Sequence, residues 1–283
     1  MKGMSTGLRL SDADHASLIE AWESAIEPFA DLAESLTEEQ WHADSGLPGW
    51  TNADVVAHVI GIERDLLGDP TPTVDLDWET LPHADDFFSR YTELAVAVRR
   101  DVPREEVLAE LRKTIPARRA QLTGDRPDLG EVVRGPGGWE LPRGIVLRMR
   151  MFDIWVHDQD LRRATGTVGE LDTEAAWVAA DRMLGSLGYV WAKKVGAPEG
   201  YSAALSVTGP GVAFHATVVT GANGRGQLVP AGPDLNPDVE LAMSWPGYAA
   251  LSAGRVPVSA VAIAIDGDPV LAEKLLANLS IAP

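Results

Sequence analysis

The stretch GIVLRMRMFDIWVHDQDLRRA, from Gly144 to Ala164, puts apolar residues on nearly every side of a helix between Ile145 and Val156. A helix with no face to give to water has to be wrapped by other elements, so this segment predicts a central, buried helix inside a bundle. The preceding residues supply the partners. Ser11 followed by Asp14 offers a capping pattern for a helix of roughly 12–36, in which Leu18, Trp22, Ile26 and Phe29 recur at helical spacing. Thr37 with Gln40 caps a short turn. Pro48 and Gly49 mark another turn, Thr51 with Asp54 forms a capping box, and a helix then runs to about Gly68 with His58 in its middle. Further helices fit roughly 84–101 and 103–122, the second with Pro103 in its first turn, before a Gly- and Pro-rich loop of about 124–143.

Beyond Gly166, which ends the central helix, Asp172 caps another helix to about Val195. The pattern then changes. Ser202 to Val207 and Val212 to Val219 are β-branched runs around a Gly-Pro-Gly turn, which predicts a hairpin, and Val258 to Ile265 reads as a further strand. Short helices fit Pro246 to Ala253 and Pro269 to Leu279. The expected fold class is α+β: a helical bundle over 1–168 followed by a small α/β domain over 169–283. Two units also suit 283 residues, since single cores stop growing near 250.

Composition removes several function classes. With no cysteine the chain has no disulfide framework, no thiolate zinc site and no sulfur nucleophile of its own, so any metal must sit on His and carboxylate. A formal charge of −18 without a basic stripe argues against nucleic acid as a partner. The same charge repels anionic substrates, which would need a local arginine; no arginine cluster is visible along the chain. No apolar run is long enough to span a bilayer and the N-terminus lacks the apolar core of a signal peptide, so the expected location is cytoplasmic, with no membrane partner. Composition leaves the oligomeric state open.

Asp153 and His157 are four apart on the central helix, so their side chains stack on one face. A carboxylate among Met149, Phe152, Ile154, Trp155 and Val156 is costly unless a positive group compensates it. His58 is embedded in the same way between Val55, Val56, Val59 and Ile62. Three nitrogen and oxygen donors from two helices would leave a position open on a tetrahedral metal, the arrangement of a catalytic zinc. Asp–His pairs at this spacing are nonetheless common, and a helical His more often hydrogen-bonds than ligates. Asp160, nearly on the same face, either orients the His157 imidazole or takes the place of Asp153, or is a solvated helix-end acid. His15, His42, His83 and His215 lie in capping, turn, loop and strand contexts that suit ordinary packing or surface roles.

The segments LPGWTNADVVAHV at 47–59 and FDIWVHDQDLRRATG at 152–166 resemble the mycothiol-dependent maleylpyruvate isomerase family, as do LSAGRVP at 251–257 and IDGDPVLAEKLLANL at 265–279 near the end of the chain. The resemblance implies a DinB-like four-helix bundle that binds metal, followed by the family's C-terminal domain, sterol-carrier-like or of the isomerase type. It places His58, Asp153 and His157 on the metal-ligand positions, although the family usually has Glu where this chain has Asp153. It also implies Zn2+ or another divalent metal, and mycothiol as an imported nucleophile. The implied reaction is reversible addition of the thiol to a conjugated cis double bond, rotation about the resulting single bond, and elimination. Stopping after addition or displacement would make the chain an S-transferase for small electrophiles. Arg255, in a Gly-Arg turn of the C-terminal domain, is a candidate grip for a carboxylate of substrate or thiol. Arg150, one turn before Asp153, either faces the site or neutralises it. The rival readings are a non-catalytic carrier of a small ligand and a metal-dependent hydrolase using bound water.

Overall fold

In the computed structural model, residues 14–124, 128–230 and 236–281 are described. The chain divides at Glu170 and Leu171 into two compact units. The N-terminal unit begins with α1 (His15–Ser35), whose cap is Asp14, accepting from the backbone N–H of Ser17 at 2.8 Å. Ser11, the other half of the expected cap, lies outside the described residues. A short α2 (Glu38–His42) carries the Thr37/Gln40 capping box, and β1 (Asp44–Leu47) and β2 (Trp50–Thr51) form a two-stranded ribbon. The Thr51/Asp54 box opens α3 (Asn52–Leu67), which stops at Gly68 in the left-handed region. Next come α4 (Phe87–Ala97), α5 (Arg104–Gly124), the hairpin of β3 (Val132–Arg134) and β4 (Glu140–Pro142), and α6 (Arg143–Thr165).

Helices α1, α3, α5 and α6 make the four-helix bundle. Helix α1 packs on α5 and α6, and α3 packs on α5, α6 and α4. Helix α6 is the expected central element: Val146, Leu147, Met151, Phe152, Ile154, Trp155, Val156 and Leu161 are all buried. Its first turn departs from expectation, because Ile145 is 44% exposed where the helix emerges from the hairpin.

The C-terminal unit starts with α7 (Glu174–Tyr189), capped by Thr173 rather than the expected Asp172, and continued by one π-helical stretch to Val195. The hairpin of β5 (Ser202–Thr208) and β6 (Phe214–Thr220) is present, and β7 (Gly226–Val229) and β8 (Val239–Ser244) join it without having been read from the sequence. After α8 (Trp245–Ser252), the expected strand over 258–265 is displaced. A 3-10 turn occupies Val258–Ala260, just after Pro257, and β9 runs over Ile263–Gly267, ahead of α9 (Pro269–Ala277). A proline there fixes φ and cannot donate to a ladder, which delays the strand. The sheet order is β7-β6-β5-β8-β9, antiparallel except for the parallel β5–β8 pair, with α7 and α9 packed on it. The fold class is therefore α+β. No described helix is long and apolar enough to cross a membrane.

Helices α3 and α4 meet at Gly61, where an added Cβ would stand 2.4 Å from Ala95 Cβ, while Gly185 in α7 has open space around it. Gly61→Ala is expected to lower stability by about 1–3 kcal/mol, because overpacking between two helices outweighs the gain in helix propensity. Gly185→Ala is expected to raise it by about 0.5–1 kcal/mol. Chemical denaturation of the two variants, followed by far-UV circular dichroism, checks the opposite signs.

Candidate metal centre

The sequence-predicted donors converge. His58 from α3 and Asp153 and His157 from α6 each offer a ligand atom, and all three lie within 4.8 Å of one another. His58 Nε2 is 3.2 Å from Asp153 Oδ2 and 3.4 Å from Oδ1, and His157 Nε2 is 3.7 Å from Oδ1. The two imidazoles meet edge to face at 4.7 Å between centroids. For metal–ligand bonds of about 2.0–2.1 Å, a tetrahedron sets its donor atoms roughly 3.3 Å apart, so this donor set fits a divalent cation with little movement. Asp153 lies 3.2 Å from the His58 imidazole and 3.7 Å from that of His157 without the extra methylene of Glu. The His157 Nδ1 is 3.1 Å from Asp160 Oδ2, which leaves Nε2 toward the cluster. Asp160 is buried rather than a solvated helix-end acid, and it also accepts from Arg163.

Protonation states agree with ligation. Burial holds the His58 imidazole below its ordinary pKa, so it is neutral at pH 7. Burial works to raise the Asp153 carboxyl, but the Arg150 guanidinium beside it, helped by the hydrogen bond from His58, outweighs this and holds the group well below the usual carboxylate range. A neutral imidazole and an ionised carboxylate are the forms a metal requires.

Arg150 turns its guanidinium into the bundle, toward Asp153 and Glu63. It is 2% exposed, donates from Nη1 to Asp153 Oδ2 at 2.5 Å and from Nε to Glu63 Oε1 at 2.9 Å. Glu63, itself 1% exposed, accepts a second bond from Arg118 Nε at 3.1 Å. Arg255 belongs to the C-terminal unit, where its Nη1 donates to the Ala253 carbonyl at 2.8 Å.

Two neighbours were not singled out from the sequence. Trp50, at the end of the Pro-Gly-Trp-Thr turn, lies against both imidazoles, with centroid distances of 5.2 Å to His58 and 6.3 Å to His157. Its Nε1 donates to Glu93 Oε2 at 2.9 Å, and Glu93 is fully buried. His83, expected in an ordinary loop role, meets the same Glu93 oxygen at 3.1 Å, and Arg100 pairs with the other oxygen at 2.6 Å. Gly49 makes room for this arrangement, since a Cβ there would stand 2.3 Å from His83 Nδ1, and its φ of 75° is one that glycine adopts without strain. The Pro-Gly-Trp spacing was the available signal, but Glu93, 43 residues away, is invisible to it. Among the other histidines, His42 pairs with Glu38 at the surface and His215 with Ser206 across β5 and β6. His15 is buried at the start of α1.

Residues 22–162 match the family described as mycothiol maleylpyruvate isomerase N-terminal domain. No curated protein matches the chain. In fold the chain is similar to the crystal structure of the mycothiol-dependent maleylpyruvate isomerase, with a TM-score of 0.59 at 17% identity, over 92% of this chain and 96% of that one. A histidine-to-alanine mutant of that enzyme gives the same figures.

Glu63→Ala leaves two buried guanidiniums facing each other without their shared acid, and is expected to cost about 3–5 kcal/mol. Glu131→Ala removes the 46% exposed partner of Arg143 and is expected to cost under about 1 kcal/mol. Urea denaturation of both checks the contrast. Asp158, next to His157 in sequence, is 2% exposed and paired with Arg162 at 2.7 Å, yet burial pushes its carboxyl up to about 6. The folded chain thus keeps a proton that the unfolded chain releases near pH 4, and this contribution to stability is lost as pH rises from about 4 through about 6. Asp158→Asn is expected to remove that loss, on the order of 2–3 kcal/mol between pH 4 and 7. Denaturation midpoints of variant and wild type across that range read it, and parallel pH profiles would refute it.

Proposed function

Since residues 22–162 of this chain belong to the mycothiol maleylpyruvate isomerase N-terminal domain family, we propose that the protein is a metal-dependent enzyme using mycothiol as its nucleophile, for cis–trans isomerisation of, or S-transfer to, a small electrophile. The single observation that supports this most is the meeting of His58, Asp153 and His157 at distances a tetrahedral cation would accept. Those three residues would hold Zn2+ or another divalent metal. A cation bound there lowers the pKa of a coordinated thiol and so supplies thiolate at neutral pH, which a chain without cysteine cannot supply itself.

The chain's own residues do the rest. Asp160 fixes the tautomer of His157 by accepting at Nδ1. Arg150 fixes Asp153 and keeps it ionised. Trp50 covers the imidazole faces and limits water there, held in place by its bond to Glu93. Arg255 stays a proposed carboxylate grip of the C-terminal unit.

Elemental analysis of the wild type beside His157→Ala tests the reading, followed by a screen of electrophiles with mycothiol. Near-stoichiometric zinc is expected in the first protein and little in the second, with turnover only when thiol is present. Equal metal loading in both removes His157 from the site. Turnover in thiol-free buffer would instead mean hydrolysis, and absence of both metal and turnover would mean a carrier.

A further inference from the structure

A histidine that ligates a metal is ordinarily oriented by a hydrogen bond at its other ring nitrogen. His157 has such a bond, to Asp160, but His58 Nδ1 is buried and has no partner among the described residues. What lies against the His58 ring is Trp50, 5.2 Å away between centroids and tilted by 40°. The same indole is 6.3 Å from the His157 ring, so one aromatic side chain packs on both imidazoles.

Trp50 is fastened more firmly than packing alone requires. Its Nε1 donates to Glu93 Oε2 at 2.9 Å, and Glu93, on α4, is wholly buried. An acid in that position is costly unless its oxygens are met. His83 meets Oε2 at 3.1 Å and Arg100 meets Oε1 at 2.6 Å. Arg100 also donates from Nε to Asp54 Oδ1 at 3.1 Å, and Asp54 Oδ2 accepts from the Thr51 backbone N–H at 2.9 Å. Three successive residues of the turn are thereby held: Gly49 against the His83 ring, Trp50 by Glu93 and Thr51 by Asp54. The loop bearing His83 is itself tied to α4, where Arg90 donates from Nε to the Ala84 carbonyl at 3.2 Å and lies 5.2 Å over the Trp78 ring. Buried ionic groups add little net stability over apolar packing, and what this one fixes is the direction of a single indole. Resting on the metal-dependent reading of the centre, we propose that Glu93, held by His83 and Arg100, is a positioning residue for the metal. Acting through Trp50, it supplies for His58 the orientation that Asp160 supplies for His157. The fixed indole also closes one side of the donor set to water, and the apolar shell of a site governs its dielectric.

Cobalt(II) titration of the metal-free full chain tests this, because the visible absorption of cobalt, unlike zinc, reports the geometry of its donors. Trp50→Phe keeps a ring beside the imidazoles but loses the N–H that Glu93 holds, and Glu93→Met removes the acceptor. Each is expected to weaken cobalt binding by about tenfold and to alter its spectrum. Glu93→Gln keeps an oxygen for the indole and is expected to restore the wild-type spectrum. The double variant Trp50→Phe/Glu93→Met is expected to lose no more than either single one, since both act through one contact. A merely structural role for Glu93 would instead give losses that add, with the spectrum of the bound metal unchanged. Unchanged affinity and spectrum in Trp50→Phe would overturn the assignment even if Glu93→Met fails to fold. A wild type that binds no cobalt would remove the metal reading as well, whereas wild-type binding that both single variants reproduce removes this assignment alone.

Discussion

Glu63 sits fully buried between two guanidiniums, and the geometry of the metal centre hangs on that contact. One oxygen takes Arg150 and the other Arg118, so a single acid on α3 ties α6 to α5. Arg150 then fixes Asp153. Buried ion pairs of this kind seldom add net stability over apolar packing, because desolvation consumes most of the Coulomb gain. What they add here is register. A slide of α6 by one residue would move Arg150 about 1.5 Å along the axis and turn it about 100° away from Glu63, breaking their buried pair.

The two imidazoles are fixed by different means. His157 is held through its own helix, by Asp160 one turn on. His58 Nδ1 is buried without a protein partner, so its ring is oriented by packing, chiefly against Trp50, and by Asp153 on its other nitrogen. Trp50 is in turn anchored by Glu93, which His83 and Arg100 also engage. The centre is therefore supported from two sides by buried acids, Glu63 beneath Asp153 and Glu93 behind Trp50. Each is compensated by arginine, as a low-dielectric interior demands.

These two acids mark where the sequence stops being legible. Periodicity and capping boxes are local, and they located α1, α3, α5, α6 and the β5–β6 hairpin within a few residues. Asp153 and His157 were visible because four residues on a helix is a contact by geometry. His58 reaches them only through tertiary packing, and needed the family resemblance. Glu63 pairs across 55 and 87 residues and Glu93 across 43, distances at which sequence holds no spacing rule. The missed strand β8 had a signal, the alternating burial of Val239, Leu241 and Met243, but its parallel partner β5 lies beyond β6 and β7 in the chain, so no turn announced the pairing.

The charges around Asp153 set the electrostatics of the candidate centre. Asp153 contributes one negative charge, but Arg150 at 2.5 Å would cancel it and leave the two imidazoles beside a pair with no net charge. Glu63 restores the balance, and Arg118 on its far side is a further step from the donors. Asp153, Arg150 and Glu63 thus sum to one negative charge, and the buried Asp160 beside His157 adds a further acid that is itself paired with Arg163. Asp153 Oδ2 is shared with Arg150, while Oδ1 faces His157 and keeps its lone pairs for the cluster. An aspartate pinned in this way gives up the reach of glutamate and gains a fixed direction.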